Sequence, residues 1–399
     1  MPAGLNFELT EDQQLIRSSV AELAAKFDDH YWMHKDQAHE FPQEFYDAIA
    51  GGGWLGMTIP EQYGGHGLGI TEATILAEEV ARSGGGMNAA SAIHLSIFGM
   101  QPVVVFGSEE MKAATLPRIV NGDLHVCFGV TEPTAGLDTS RICTFAKRRS
   151  DNSADYLVNG RKVWISKALE SEKILLLTRT ESREDVQKRG GKPTDGLTLF
   201  LTDLNRDYVD IRPITKMGRN AVSSNELFID DLPVPAEHRI GEEGKGFSYI
   251  LHGLNPERML IAAEALGIGR VALDRAVKYA NERVVFDRPI GMNQGIAFPL
   301  ADSLARLDAA ELILRKATWL YDNGKSCGRE ANMAKYLCAD AGFGAADRAL
   351  QTHGGMGYSE EYNISRFFRE SRLMKIAPVS QEMILNFLSA NVLGLPKSY

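Results

Sequence analysis

Four short segments of this sequence carry side chains that could hold a ligand or take part in a reaction. An arginine can neutralise a phosphate, and glycine lets a backbone approach a ligand closely. Each segment alone also fits a structural interpretation, in which hydroxyls satisfy backbone groups, Arg283 is a solvated helix-end charge and Gly354-Gly355 is a helix C-cap. The segments are Val130-Thr131-Glu132-Pro133-Thr134-Ala135-Gly136-Leu137-Asp138, Val163-Trp164-Ile165-Ser166, Arg283-Val284-Val285-Phe286 with Gln294, and Gln351-Thr352-His353-Gly354-Gly355-Met356-Gly357-Tyr358.

A carboxylate also occurs next to a guanidinium, at Glu257-Arg258. Taken alone, Glu257 is typical of an acid in the first turn of a helix, where the helix dipole favours it. Other sites are excluded by pattern. No GxGxxG follows a strand and no P-loop occurs, so a dinucleotide would have to be held in another way. The nine histidines and four cysteines form no HExxH or CxxC, so no metal site is predicted.

The composition is that of an ordinary globular protein. The 399 residues include 43 basic and 52 acidic side chains, for a net charge of −9, and 44% are hydrophobic. The acidic balance argues against nucleic-acid binding. No basic-then-apolar signal begins at Met1, and no apolar run approaches the roughly 20 residues of a membrane span. We therefore expect no membrane span and a cytoplasmic location.

The elements that must position these residues change character twice along the chain. Residues 1–125 show helical periodicity, beginning with Thr10 as an N-cap. Residues 126–243 have the pattern of strands and turns, and helical periodicity returns over residues 244–399. This order predicts an α+β fold that is mostly α, with an N-terminal helical domain, a middle β-barrel-like domain and a C-terminal antiparallel four-helix bundle.

Local patterns give more detailed predictions. The segment Tyr156–Ile165 contains Asn159-Gly160 between apolar flanks, which predicts a β-hairpin. The charged, Gly- and Pro-containing stretch Glu184–Asp195 predicts an exposed loop. Pro256 either lies in the first turn of a helix or kinks a helix that begins near Gly246. The remaining patterns predict strands at Ile174–Thr178, Leu197–Leu201 and Glu226–Ile229, and helices at 71–83, 97–121, 256–284, 297–323 and 330–352.

In order and spacing, the four segments resemble the acyl-CoA dehydrogenase family over essentially the whole chain. They are similar to its V-T-E-P-x-A-G-S-D, W-I-T/S, R-x-x-F-G…Q and Q-x-x-G-G-x-G-Y patterns. The resemblance implies a flavoprotein that removes two hydrogens from the α and β carbons of an acyl-CoA thioester and passes the electrons to FAD. Such a reaction needs a carboxylate for the α proton, donors for the thioester oxygen, and the β carbon held near flavin N5.

The resemblance also assigns contacts to FAD. Thr131 and Ser166 would bond to the edge of the isoalloxazine ring, and Trp164 would pack beside it. Leu137 stands where the family has serine, so a hydroxyl contact is lost there, while a backbone contact to the pyrophosphate is compatible with leucine. The other residues that match cofactor positions in this part of the family's site are Phe128, Val130, Gly136, Ser380 and Glu382.

A second set of positions would reach FAD from a neighbouring subunit. In the family these positions hold the ADP half of the cofactor across a subunit interface. An isologous interface of this kind implies a homodimer or a homotetramer. The matching residues are Arg283, Phe286, Gln294, Gln351 and Gly355.

The catalytic base is expected at an unusual position. Pro378 occupies the place of the C-terminal glutamate that most family members use, so no carboxylate remains there. The isovaleryl-CoA and long-chain branches carry the base in an E-R pair on an earlier helix, which Glu257-Arg258 resembles. Burial would raise the pKa of Glu257 while Arg258 would lower it, so the sign of the shift stays open. Proline also lacks the backbone N–H that would polarise the thioester oxygen. Either Ala377 or Val379 donates in its place, or the thioester oxygen is held by weaker hydrogen bonding.

Substrate and partners follow from the same resemblance. Leu254, Asn255, Arg258 and His94 match positions around the acyl and pantetheine groups, and the early base favours branched or long acyl chains. Electron-transferring flavoprotein is the expected electron acceptor. Two alternatives stay open: a flavin oxidase or monooxygenase that reacts with O₂, and a non-catalytic flavoprotein subunit that binds acyl-CoA.

Overall fold

The computed structural model describes residues 8–150 and 155–397, and its elements run from helices through strands back to helices. The predicted α+β, mostly helical fold is therefore confirmed. Residues 1–7, which the prediction about targeting includes, lie outside the described residues.

The N-terminal region is helical and begins as predicted. The Thr10 hydroxyl accepts a hydrogen bond from Gln13 N at 3.2 Å, and the Gln13 side chain accepts one from Thr10 N at 3.1 Å. This reciprocal cap satisfies two backbone donors that a helix start leaves unpaired. The helices here are α1 (Glu11–Ala24), α2 (Asp29–Ala38), α3 (Gln43–Gly51), α4 (Ile70–Val80), α5 (Gly86–Phe98), α6 (Gln101–Phe106) and α7 (Glu109–Val120).

The middle region is an eight-stranded sheet with apolar cores on both faces. The strands follow the order β6-β7-β3-β2-β4-β5-β8, and β1 pairs in parallel with β4. On β4, Leu175 and Leu177 pack into one core, whereas Ile174 and Leu176 pack into the other. Burial on both faces explains the continuous apolar run of this strand. The strands are β1 (Val126–Gly129), β2 (Phe145–Arg148), β3 (Tyr156–Ser166), β4 (Lys173–Arg179), β5 (Leu197–Asp203), β6 (Val209–Pro213), β7 (Ser224–Val234) and β8 (Arg239–Ile240).

Three long helices and one short helix form the C-terminal bundle. Helices α9 (Gly246–Glu282), α10 (Gln294–Asp322) and α11 (Gly328–His353) pack against one another, and α13 (Ile364–Leu373) packs against α9 and α11. A small hairpin of β9 (Val284–Val285) and β10 (Arg288–Pro289) joins α9 to α10. The other helices are α12 (Gly355–Tyr358) and α14 (Gln381–Phe387), with a short α8 (Arg183–Lys188) inserted between β4 and β5.

The predicted hairpin at Asn159-Gly160 is wrong. Residues Tyr156–Ser166 form one strand, β3, with an irregularity in its pairing to β7 between Val158 and Gly160. A Cβ at Gly160 would lie 2.7 Å from Thr144 Cα, so glycine is needed here for close approach of the backbones. Asn159 also serves the sheet, because its side chain bonds to Asp231.

Two other local predictions are decided by the structure. The first part of the predicted loop is the helix α8, which Ser182 caps by accepting from Asp185 N at 3.1 Å. Pro256 lies inside α9, which begins at Gly246, so it is not in the first turn and the helix begins where the second interpretation places it.

One helical run in the described residues, Ile70–Phe106, is long and apolar enough to cross a membrane. It joins α4, α5 and α6, and 78% of its most apolar window is buried inside the protein. Such burial is characteristic of a core helix rather than one facing lipid.

Candidate active site

A cavity of about 420 Å³ lies between the helical and sheet regions. Helix α5 forms one wall, α9 a second, and the sheet with its loops a third, while residues 373–379 close part of the remaining side. A cavity of this size suits a small organic ligand. The predicted site residues that it brings together are His94, Phe128, Val130, Thr131, Gly136, Leu137, Trp164, Ser166, Leu254, Glu257 and Arg258.

Glu257 is a buried carboxyl group on the wall of this cavity. It lies well inside α9 rather than in its first turn, and it is 9% exposed. Burial raises its pKa to about 7, and this effect outweighs the lowering by the neighbouring Arg258. Burial therefore gives the pKa of Glu257 a net upward shift, a direction that the sequence alone left open. A carboxyl group with a pKa near neutrality is suited to take a proton at physiological pH.

Arg258 is held by its own helix. Its Nη1 donates to Asn255 Oδ1 at 3.0 Å, and burial lowers the pKa of the guanidinium. Arg258 lines the cavity, whereas Asn255 does not. Asn255 therefore orients Arg258 and is not itself one of the residues that line the cavity.

The two hydroxyls expected at the flavin edge have different hydrogen-bonding roles. Thr131 Oγ1 donates to Val163 O at 2.5 Å, which leaves its oxygen as an acceptor for a ligand. Ser166 Oγ accepts from Arg219 Nη1 at 3.1 Å. Because a guanidinium only donates, the Ser166 hydroxyl keeps its own hydrogen for a ligand. Trp164 lies on β3 with Ser166, is 58% exposed and lines the cavity together with both hydroxyl residues.

Arg219 is a site residue that sequence reasoning missed. It lines the cavity from the loop between β6 and β7 and is buried, with further bonds to Ser91 and Ser224. Its Nε has no hydrogen-bond partner among the described residues. Burial lowers the pKa of this guanidinium to about 10. No pattern marks an isolated arginine in a loop, so only the folded chain reveals it.

A buried lysine holds the segment where the family's usual base would lie. Lys335 Nζ donates to Met374 O at 2.6 Å and to Val379 O at 2.5 Å, and burial lowers its pKa to about 8. The Ala377 N–H donates to Leu373 O at 3.0 Å and is therefore already engaged. Val379 lines the cavity, which leaves it as the better placed of the two proposed donors.

Several predicted cofactor residues do not line this cavity. Ser380 caps α14 by accepting from Met383 N at 3.3 Å, and Glu382 lies exposed in the first turn of that helix. Phe286 is 93% exposed at the tip of the β9–β10 hairpin, where it and Asp287 have positive φ. The residues exposed on the surface away from the cavity are Arg283, Phe286, Gln294, Gln351 and Gly355.

The residues present fit a flavin. Hydroxyl groups of opposite hydrogen-bonding role flank an indole, and a buried cation with a free N–H stands beside them. Over the described residues, no group of three His, Cys, Asp or Glu side chains is arranged to hold a metal ion.

Comparisons with known proteins cover nearly the entire chain. Residues 10–123, 127–232 and 244–393 match family models described as the N-terminal, middle and C-terminal domains of acyl-CoA dehydrogenase. The chain is 36% identical over 399 residues to acyl-CoA dehydrogenase fadE12 of Mycobacterium bovis, which covers 99% of both chains. It is 34% identical to the caffeyl-CoA reductase-Etf complex subunit CarC of Acetobacterium woodii, covering 86% of this chain and 87% of that one. The structure of butyryl-CoA dehydrogenase from Megasphaera elsdenii matches with a TM-score of 0.90 at 29% identity, covering 97% of this chain and 100% of that one.

Proposed function

Since the chain belongs to the acyl-CoA dehydrogenase family and is therefore an FAD-dependent enzyme, we propose that it oxidises an acyl-CoA to the 2-enoyl-CoA with Glu257 as the base. The observation that carries this proposal is the position of Glu257. Its carboxyl group is buried on the wall of the cavity that also contains Thr131, Trp164 and Ser166. The position usual in the family holds Pro378, which offers no carboxylate.

Different residues that line the cavity have different roles in the proposed reaction. The Glu257 carboxylate takes the α proton, and the Val379 N–H donates to the thioester oxygen as negative charge develops there. When bound, FAD accepts the two electrons that leave with the β hydrogen. Ser166 would donate to the ring of the bound cofactor and Thr131 would accept from it, because their other hydrogen-bonding positions are already used within the protein. The apolar side chains around them exclude water.

The test is anaerobic titration of the yellow protein with acyl-CoAs of varied length and branching, followed by flavin absorbance. We expect bleaching, at a rate that rises with pH through about 7. The direction follows because burial raises the pKa of Glu257 to about 7, and only the carboxylate form can accept the α proton. Stopped-flow measurement between about pH 5.5 and 9 records this rise in the rate of flavin reduction. A rate that does not change with pH over this range would rule out a base with this pKa.

The same titration separates the alternatives. A protein that keeps its flavin absorbance with every acyl-CoA in a broad panel would be a non-catalytic subunit. When O₂ is then admitted to the bleached protein, rapid reoxidation would indicate an oxidase or monooxygenase. We propose electron-transferring flavoprotein as the acceptor, since the relative CarC is named as a subunit of an Etf complex. A cytoplasmic location remains a prediction.

Arg219 is expected to tune the cofactor through Ser166. Arg219→Gln removes a buried cation and leaves the Ser166 oxygen without its hydrogen-bond donor. We therefore expect the flavin reduction potential to fall by about 30 mV or more. For a two-electron couple, this shift is a tenfold change in the equilibrium constant for reduction. The potential is measured by dye equilibration, together with the visible spectrum. Arg219→Lys should restore part of the shift. Ser224→Ala is the control, because it removes another Arg219 contact at a residue that does not line the cavity. An equal shift in that control would assign the effect to general disturbance of the loop.

A further inference from the structure

A buried hydrogen-bonded pair, His94 and Glu264, borders the same cavity and has no part in the steps above. His94 Nδ1 and Glu264 Oε1 are 2.9 Å apart, and their side chains are 9% and 0% exposed. His94 is the member of the pair that lines the cavity. A carboxylate accepts from Nδ1–H, so the pair fixes the ring and leaves Nε2 for a further partner.

Helical spacing places Glu264 about two turns along α9 from Glu257. Glu257, Ile261 and Glu264 lie on one face of α9, at spacings of four and three residues, and His94 and Phe98 lie on one face of α5. Seven residues of helix separate Glu257 from Glu264, or about 10 Å along the axis. An acyl group with its α carbon at Glu257 therefore has room to extend its distal carbons toward His94.

Polar atoms near the pair lack partners. Glu264 Oε2 is buried without a hydrogen-bond partner among the described residues, and the same holds for Arg219 Nε. Unpaired polar atoms in a protein interior are costly, so this end of the cavity has polar groups whose hydrogen bonds the described residues do not complete. The cavity that His94 lines also has the apolar side chains Leu95, Phe98 and Ile261 on its wall.

We infer that the preferred acyl group carries a neutral hydrogen-bonding substituent, a hydroxyl, beyond its β carbon, and that the His94–Glu264 pair recognises it. The inference rests on the proposed function. A hydroxyl can donate to a neutral imidazole or accept from a protonated one, so it suits His94 in either state.

The charges around the cavity favour a neutral substituent over a second carboxylate. Arg258 is within electrostatic reach of Glu257, and Arg219 is within reach of Glu264. Lys335 already donates to two backbone carbonyls. A second carboxylate at this end of the cavity would place its negative charge close to Glu264, which already lies within reach of Arg219, whereas a hydroxyl adds no charge.

The test compares pairs of acyl-CoAs that have equal length, with and without a terminal hydroxyl, at about six to ten carbons to span the roughly 10 Å between Glu257 and Glu264. For the holoenzyme we expect kcat/KM to favour the hydroxylated member by about tenfold or more at one length. His94→Leu should abolish this preference, and His94→Gln, which keeps a hydrogen-bonding group, should retain part of it. Phe98→Leu, one turn further along α5, is the matched control and should change both members of a pair alike.

The result that would overturn the inference is an equal or higher kcat/KM for the plain chain at every length. An unchanged ratio in His94→Leu holoenzyme would overturn it as well. If His94→Leu loses its flavin, His94→Gln and Glu264→Gln provide the same comparison with smaller changes in volume. A different base would leave this test intact, because dissociation constants of each pair, measured from the perturbed flavin spectrum of Glu257→Gln holoenzyme, report recognition without turnover.

Discussion

Glu257→Gln is expected to lower the rate of flavin reduction by acyl-CoA by at least about 1000-fold, while FAD and acyl-CoA still bind. Glutamine has nearly the same volume as glutamate and fills the same buried position on α9, but its amide cannot accept the α proton. The change also removes a buried ionisable group, so no new desolvation cost is introduced. Stopped-flow reduction and titration of the flavin spectrum measure the rate and the binding separately.

The control is Glu382→Gln, which changes the acid nearest in sequence to the family's usual base position. Glu382 is exposed at the start of α14 and does not line the cavity, so this variant should reduce its flavin at nearly the wild-type rate. Near wild-type reduction by Glu257→Gln would show that another group removes the proton. Loss of activity in both variants would indicate that each substitution disturbs the backbone of the site, so that the loss could not be assigned to Glu257 as the base.

Structural features that depend on residues close together in the chain could be predicted from the sequence. The Thr10 cap, the long helices of the bundle and the apolar run of β4 each depend on residues within a few positions of one another. The Asn159-Gly160 prediction failed because the need for glycine there comes from Thr144, which immediately precedes β2 and which local turn chemistry does not include. The resemblance to a family brought Glu257 to notice, because its E-R pattern is also local.

The electrostatics of the site could not be predicted in the same way. Arg219 meets Ser166 across 53 positions of sequence, and His94 meets Glu264 across 170. Neither partner pair has a local pattern that would indicate it. The sign of the Glu257 pKa shift likewise depended on how far folding buries the carboxyl group, and burial proved stronger than the adjacent Arg258. Charge pairs and burial are properties of the packed chain, so they had to be read from the structure.

The exposed hairpin between α9 and α10 is where we expect a second copy of the chain to bind. Phe286 presents an aromatic ring to solvent at its tip, in a two-residue turn where both residues have positive φ. Arg283 at its base, and the start of α12 at Gly355, are exposed as well. By resemblance these positions hold the ADP half of FAD across a subunit interface. We propose that the cofactor site of one subunit is completed by this hairpin from another.

Arg283→Ala is therefore expected to weaken FAD retention by about 10- to 100-fold and to shift the protein toward smaller species in the same preparation. The loss of a charge-assisted bond to phosphate accounts for the first effect, and the loss of the shared ligand accounts for the second. Flavin-to-protein ratio after gel filtration and sedimentation velocity measure the two. Arg288→Ala is the matched control, because Arg288 lies on the same hairpin but donates to Asn293 Oδ1 at 2.8 Å within its own chain. If Arg283→Ala keeps its flavin as well as Arg288→Ala does, the second subunit does not hold the cofactor through this residue, and the exposed Phe286 needs another partner.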